Sequence, residues 1–226
     1  MEERNISEQE SLQLIQEMIG KAKSHYHESG ASAILWGAVI GTCGLISFAE
    51  QQWNFSIGFD IWFLTLAAIV PGIWINIRAA KKRIVKTHAT AAIDIVWNVF
   101  GISIVCVVLY GNIIPSISEG FFAKENIELL SHNMLTGETK KYWPTTLSLS
   151  SVFLIIYAFP TLATGWISKF KPMIIGAVVC YCFFIASLFT PFKYDMLLCG
   201  LAGIGNWLIP GLLLNRRYRK AKSAHV

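Results

Sequence analysis

Five polar side chains, Asn76, Asp94, Asn98, Asn206 and Asn215, lie inside or beside long apolar runs. In hydrocarbon each needs a hydrogen-bond partner that lipid cannot give, so each is a place where function would show. Asn76 and Asn215 close two segments of the same design, Pro71-Gly72-Ile73-Trp74-Ile75-Asn76 and Pro210-Gly211-Leu212-Leu213-Leu214-Asn215. A proline inside a helix removes one N–H donor and frees a carbonyl on the preceding turn. The amide five residues on can either cap that loosened helix end or help line a solute path. Asn98 and Asp94 stand at i and i+4, so the face of the helix carrying them is expected to point inward. Asn206 and Asn98 are the deepest of the set and fit interhelical hydrogen bonds. Taken together, the five form a candidate polar cavity.

Other chemistries find little footing. Asp60, Asp94 and Asp195 fall near expected helix N-termini, where the dipole and nearby water favour a carboxylate. Cys180 and Cys182 are two apart, which puts their thiols on nearly opposite sides of a helix. His25 and His27 have the same unhelpful spacing, so no metal site is expected. There is no Gly-x-Ser-x-Gly and no His-Glu-x-x-His, and no histidine lies at membrane depth. The expectation is no enzyme and no cofactor. Gly200, Gly203 and Gly205 lack the strand and Lys-Ser/Thr of a phosphate loop. They read as close packing, as do Ala33, Gly37 and Gly41 at i, i+4 and i+8.

The elements that must hold these residues are membrane spans. Only 15% of residues are charged and 54% are hydrophobic, with a mean hydropathy of +0.51. Six apolar runs approach the ~20 residues needed to cross a ~30 Å hydrocarbon core. They predict spans at about 31–49, 57–77, 91–113, 146–167, 172–190 and 195–214, in an all-α, six-helix polytopic fold. Of the 19 Lys and Arg, 15 fall on one side of this arrangement. The positive-inside bias puts both termini in the cytoplasm. It also makes the net charge of +5 a topology signal, with no nucleic acid implied. Lys81, Lys82 and Arg83 after the second span, and Arg216, Arg217 and Arg219 after the sixth, are candidate contacts for anionic lipid. Trp53, Trp62 and Trp143 are expected at the outer interface, and Trp36, Trp74 and Trp166 at the inner one. The long outer connection, Pro115 to Trp143, carries Phe121, Phe122, Ile127, Leu129 and Leu130. It reads either as a loop packed on the bundle rim or as a short interfacial helix.

Residues 1–30 form a separate unit. Ser7-Glu8-Gln9-Glu10 is a capping box, followed by Leu12, Ile15, Ile19, Ala22 and Tyr26 on one amphipathic face. That helix can pack under its own bundle, bind a protein partner, or lie in the membrane plane. Met1 is followed by acidic and polar residues, so no cleavable signal peptide is expected. The five cysteines sit in apolar runs, so no disulfide is expected. Residues 215–226 form a basic cytoplasmic tail.

A shift of 139 residues aligns 34–83 with 173–222 without a gap, with ten identities, including Gly37-Ala38-Val39, Cys43, Pro71-Gly72 and Asn76. Helices 1–2 and 5–6 thus read as copies of one hairpin, with helices 3–4 a possible third. The alternative is convergence under shared membrane constraints.

The run Ile6-Ser7-Glu8-Gln9-Glu10-Ser11-Leu12, then Met18-Ile19-Gly20-Lys21-Ala22-Lys23 leading into Leu35-Trp36-Gly37, resembles a group of uncharacterised small bacterial multi-pass membrane proteins. The resemblance covers the N-terminal 40 residues or so of the 226. It implies a bacterial inner-membrane protein with six helices and brings no activity with it. Two functional readings follow: a non-enzymatic regulatory, sensor or accessory subunit, with a protein partner on the N-terminal helix, or a small-solute transporter or channel using the polar cavity.

Overall fold

The computed structural model describes residues 29–82, 88–142 and 149–223. The N-terminal amphipathic segment (1–28), Arg83, Lys86 and Trp143 lie outside the described residues, as do the side chains of Lys82 and Lys222. Seven helices and one small hairpin make up the described chain. They are α1 (Ala31–Trp53), α2 (Phe63–Lys82), α3 (His88–Lys124), β1 (Leu130–His132), β2 (Thr139–Lys141), α4 (Leu149–Ile167), α5 (Lys171–Ser187), α6 (Phe192–Gly203) and α7 (Ile209–Ser223). A π-helical turn, Ile204–Leu208, joins α6 to α7, so these two form one continuous rod.

Five segments are long and apolar enough to cross a membrane: 31–53, 63–81, 88–113, 149–167 and 193–220. The chain is therefore a multi-pass helical membrane protein by helix length and composition. α5 has 17 residues, a length of about 26 Å at 1.5 Å per residue. That is a little short of a full hydrocarbon core.

Several expected boundaries move, each for a local reason. The second helix starts at Phe63 rather than 57. Ser56, Gly58 (φ +86°) and Asp60 form a turn there, and the Asp60 carboxylate accepts the Trp62 N–H at 2.9 Å. Such short polar residues compete with helix by bonding nearby backbone. The third helix overruns its expected end at 113 by eleven residues. Among the described residues no separate interfacial helix forms in the long connection. α3 itself carries Phe121 and Phe122, and a two-stranded antiparallel hairpin follows, with Leu130 opposite Lys141. The Asn133 carboxamide oxygen accepts the N–H groups of Leu135 and Thr136, and Gly137 takes φ +71°, which closes the turn. Glu119 of α3 ties the hairpin down through Lys141 at 2.7 Å. That contact raises the exposed Lys141 ammonium above its ordinary pKa, by hydrogen bond first and charge second. The tail is no loose end either, because the last helix continues through Ser223. Arg, Lys and Ala are good helix formers, and cations suit a helix C-terminus.

The packing has a centre and two outliers. α1 crosses α6 antiparallel, with glycines at the crossing. A Cβ on Gly200 would lie 2.9 Å from the Leu45 amide nitrogen, and one on Gly203 would lie 3.0 Å from that of Gly41. No side chain larger than hydrogen fits, and the backbones approach as small residues allow. The small-residue stripe read from the sequence thus packs against Gly200 and Gly203 of the sixth run, whereas a Cβ on Gly205 would meet nothing within 4 Å. α4 and α5 form a second antiparallel pair, and α4 also meets α6 and the π turn. By contrast, among the described residues α2 rests on α1 alone, and α3 rests on α4, with its Trp97 and Phe100 also reaching Trp207 of the π turn. Only 11% of the α2 span and 6% of the α3 span is buried, against 39–50% for α1, α4 and α6–α7.

Candidate functional site

α4 carries the polar spine of the molecule. Ser150, Leu154, Tyr157, Thr161, Thr164 and Ser168 follow one another at spacings of four and three, which keeps them on one stripe. Neighbouring helices donate to this stripe nearly turn by turn. The Cys199 thiol reaches the Ser150 carbonyl at 3.2 Å, and the Cys180 thiol reaches the Leu154 carbonyl at 3.2 Å. The Asn206 amide donates to the Tyr157 carbonyl at 2.8 Å. Trp207 Nε1 donates to Thr161 Oγ1 at 2.8 Å, and Trp97 Nε1 to Thr164 Oγ1 at 3.1 Å. Ser168 closes the series on the Thr164 carbonyl.

Two prolines explain where the strongest links fall. Pro160 has no N–H for the Ile156 carbonyl and crowds that turn of α4. The adjacent Tyr157 carbonyl accepts from both Asn206 and the Thr161 hydroxyl. Pro210 poses the same problem for α7, and the chain answers with the π turn just before it. One extra residue in the turn widens it, relieves the clash with the carbonyl below and redirects the side chains. Asn206 and Trp207 are consecutive, yet both are buried, at 1% and 3% exposure, and both bond α4. Trp207, Tyr157, Phe100, Trp97 and Phe153 fill the space around them, with Tyr157 and Trp207 ring centroids 4.8 Å apart. The oxygen of the Asn206 amide is the one fully buried side-chain polar atom left without a partner among the described residues.

A second polar group closes the opposite end of α4. Ser187 Oγ lies 2.8 Å from Ser151 Oγ, and Thr190 Oγ1 donates to Asp195 at 3.1 Å. Asp195 sits in the first turn of α6, as expected, and is buried. Asp60 is exposed and Asp94 half-buried.

The five residues expected to share a cavity do not come together. Asn206 is in the core, Asn215 is half-buried near the end of α7, and Asn76 and Asn98 are exposed on the outer surfaces of α2 and α3. The face holding Asp94 and Asn98 was expected to point inward. α3 instead turns Ile93, Trp97, Phe100 and Ile104 toward α4, because these large apolar and aromatic groups fill the bundle better than an amide. Two surface hollows, of about 410 Å³ and 300 Å³, lie outside the bundle, on α3 and under the hairpin. Cys180 is buried and Cys182 exposed, as their two-residue spacing requires, and all five thiols are free. No group of three or more His, Cys, Asp or Glu comes together among the described residues.

Of the basic residues, Arg217 stacks on Phe170 with its guanidinium 4.8 Å from the ring centre, and Arg78 lies 5.1 Å over Trp74. Lys81, Arg216 and Arg219 are exposed near the ends of α2 and α7. Burial gives the hairpin repeat mixed support, since Gly37 and its aligned Gly176, and Gly72 and its aligned Gly211, are buried in both copies whereas other pairs differ. Cys43 is buried and its aligned Cys182 exposed, while Pro71 is exposed and its aligned Pro210 buried.

Sequence reasoning missed the α4 stripe. Its signal was present, as Ser and Thr at four-and-three spacing around Pro160, but a single serine or threonine in a span carries little weight alone. Comparison with protein-family models, curated proteins and solved structures finds no match to this chain.

Proposed function

We propose that this chain is a non-enzymatic accessory or regulatory subunit of the bacterial inner membrane. It crosses six times, with α5 as the fifth and shortest span and both termini in the cytoplasm. The observation that carries this reading is the contrast between a filled interior and bare outer helices. The centre is closed by aromatic packing around α4, and its polar groups are nearly all bonded to one another. α2 and α3 are long apolar helices with most of their surface uncovered. A bundle built this way offers surface to other membrane components rather than a path for solute. The basic residues near the C-terminal ends of α2 and α7 hold it to anionic inner-leaflet lipid, at about 1 kcal/mol per charge near the surface.

The test is purification of the tagged full-length chain in mild detergent, beside a variant lacking residues 1–28. A protein partner that co-purifies with the full chain and is lost from the shortened one, with unchanged thermal unfolding, supports the reading. Absence of any stoichiometric partner, together with no growth or membrane phenotype on deletion of the whole chain, overturns it. The transport reading required the four asparagines to meet in one cavity. Their dispersal over three surfaces and the core leaves it without a supporting observation.

A further inference from the structure

α3 presents an unusual combination on the side away from α4. Asn98 lies near the middle of the apolar segment His88–Ile113 and is exposed. Two other polar side chains of this stretch look after themselves within the helix. Ser103 donates to the Val99 carbonyl at 2.9 Å, and Asn112 to the Val108 carbonyl at 2.7 Å. Among the described residues no hydrogen bond reaches the Asn98 side chain, although it could fold back in the same way. An amide at this depth meets only lipid tails, which offer neither donor nor acceptor.

Asn98 also heads a stripe. Ile102, Val105, Leu109 and Asn112 follow at spacings of four, three, four and three, and the apolar three are all more than half exposed. This is the spacing of a two-helix seam with a polar residue setting register. Beside Asn98, Gly101 has open space where a Cβ would stand. Together with Trp97, Ile102, Val105 and Cys106 these two line a shallow hollow of about 410 Å³. Such a hollow receives a side chain from a facing helix.

From these observations we infer that α3 is a homodimer interface, with the occupant of its outer face being α3 of a second copy of this chain. The choice of a second copy follows from the chemistry of the amide. One carboxamide has both a donor and an acceptor, so two of them related by a two-fold axis satisfy each other. The axis runs along the membrane normal, which sets the two Asn98 side chains at the same depth. The Ile102, Val105 and Leu109 side chains then meet their own counterparts below them.

The experiment uses the full chain in lipid vesicles, in a background with Cys106→Ser and Cys182→Ser, the two exposed cysteines. A single cysteine is placed at Val105, within the seam, or at Tyr110, exposed but well round the helix from it. Oxidative cross-linking is expected to give a dimer of this chain from Val105→Cys and little from Tyr110→Cys. Adding Asn98→Leu is expected to raise the dissociation constant about tenfold, the size of one interhelical hydrogen bond in a membrane, while Asn98→Gln largely retains the dimer. Because Asn98 is exposed in the single chain, tryptophan emission serves as the check that each variant remains folded. Four results each overturn the inference: no cross-link at position 105, equal cross-linking at 110, a dimer untouched by Asn98→Leu, or an adduct whose mass is that of a different protein.

Discussion

The segments Pro71–Asn76 and Pro210–Asn215 are written alike and used differently. In α2, Pro71 is exposed, the helix runs through it, and Asn76 points away from the bundle. In the last rod, Pro210 is buried, a π turn precedes it, and the residues that turn redirects are the ones that hold α4. A proline creates the same local difficulty in both places. Only where a second helix stands close by does the solution become a contact between helices. Local sequence states the problem, and the neighbour decides what is built from the answer.

The comparison can be broken most severely at tryptophan. Trp207→Ala removes the centre of the aromatic cluster and the bond to Thr161, and is expected to cost about 3–5 kcal/mol. Trp74 is 59% exposed on α2, and Trp74→Ala should shift the detergent unfolding midpoint far less. Equal shifts would mean that the π turn has no special place in the core.

Glycine sharpens it next. A Cβ on Gly211 would stand 2.9 Å from the Ile34 nitrogen, whereas one on Gly72 meets Trp36 at an ordinary 3.4 Å. Gly211→Ala should therefore destabilise by about 1–3 kcal/mol through overpacking. Gly72→Ala should be neutral or slightly stabilising, since alanine is the better helix former. Urea or thermal melts of the two variants side by side decide it, and a reversed order would contradict the packing of α7 on α1.

The smallest effect belongs to the asparagines. Asn206→Leu loses the bond to the Tyr157 carbonyl but also removes an unpartnered oxygen, so the net cost should be about 0.6–2 kcal/mol. Asn76→Leu, on an exposed surface, should be close to silent in the same melt.

These contrasts show what was legible beforehand. The apolar runs and their charged ends marked six spans, because hydropathy is a local property of the chain; five come out long enough to cross, and the run at 172–190 comes out as the shorter α5. The glycines of α1 and Gly200 and Gly203 of the sixth run were readable as contact surfaces for the same reason: a missing side chain has few other uses at membrane depth. What escaped was anything that depends on which helix stands opposite. Asn98 and Asn206 look equivalent in the sequence, yet one is on the outside and the other at the centre. The large residues around Asn98, Trp97 and Phe100, outcompeted it for the inward face of α3. The overrun of α3 was hidden because polar residues after Ile113 resemble a loop until a hairpin is seen folding back to meet Glu119.

That overrun has a practical consequence. At 37 residues α3 is about 55 Å long, so its last turns hold the hairpin clear of the bundle, with Met134 and Leu135 at the tip 94% and 97% exposed. Among the described residues nothing in the bundle rests on that tip. A break in the backbone there would divide the chain into a three-helix piece and a four-helix piece, and the matching surfaces of α3 and α4 would remain to bring the halves back together. Two separately made fragments meeting at Met134–Leu135 should therefore reassemble in one membrane, and a protease cut at that tip should leave the two halves associated.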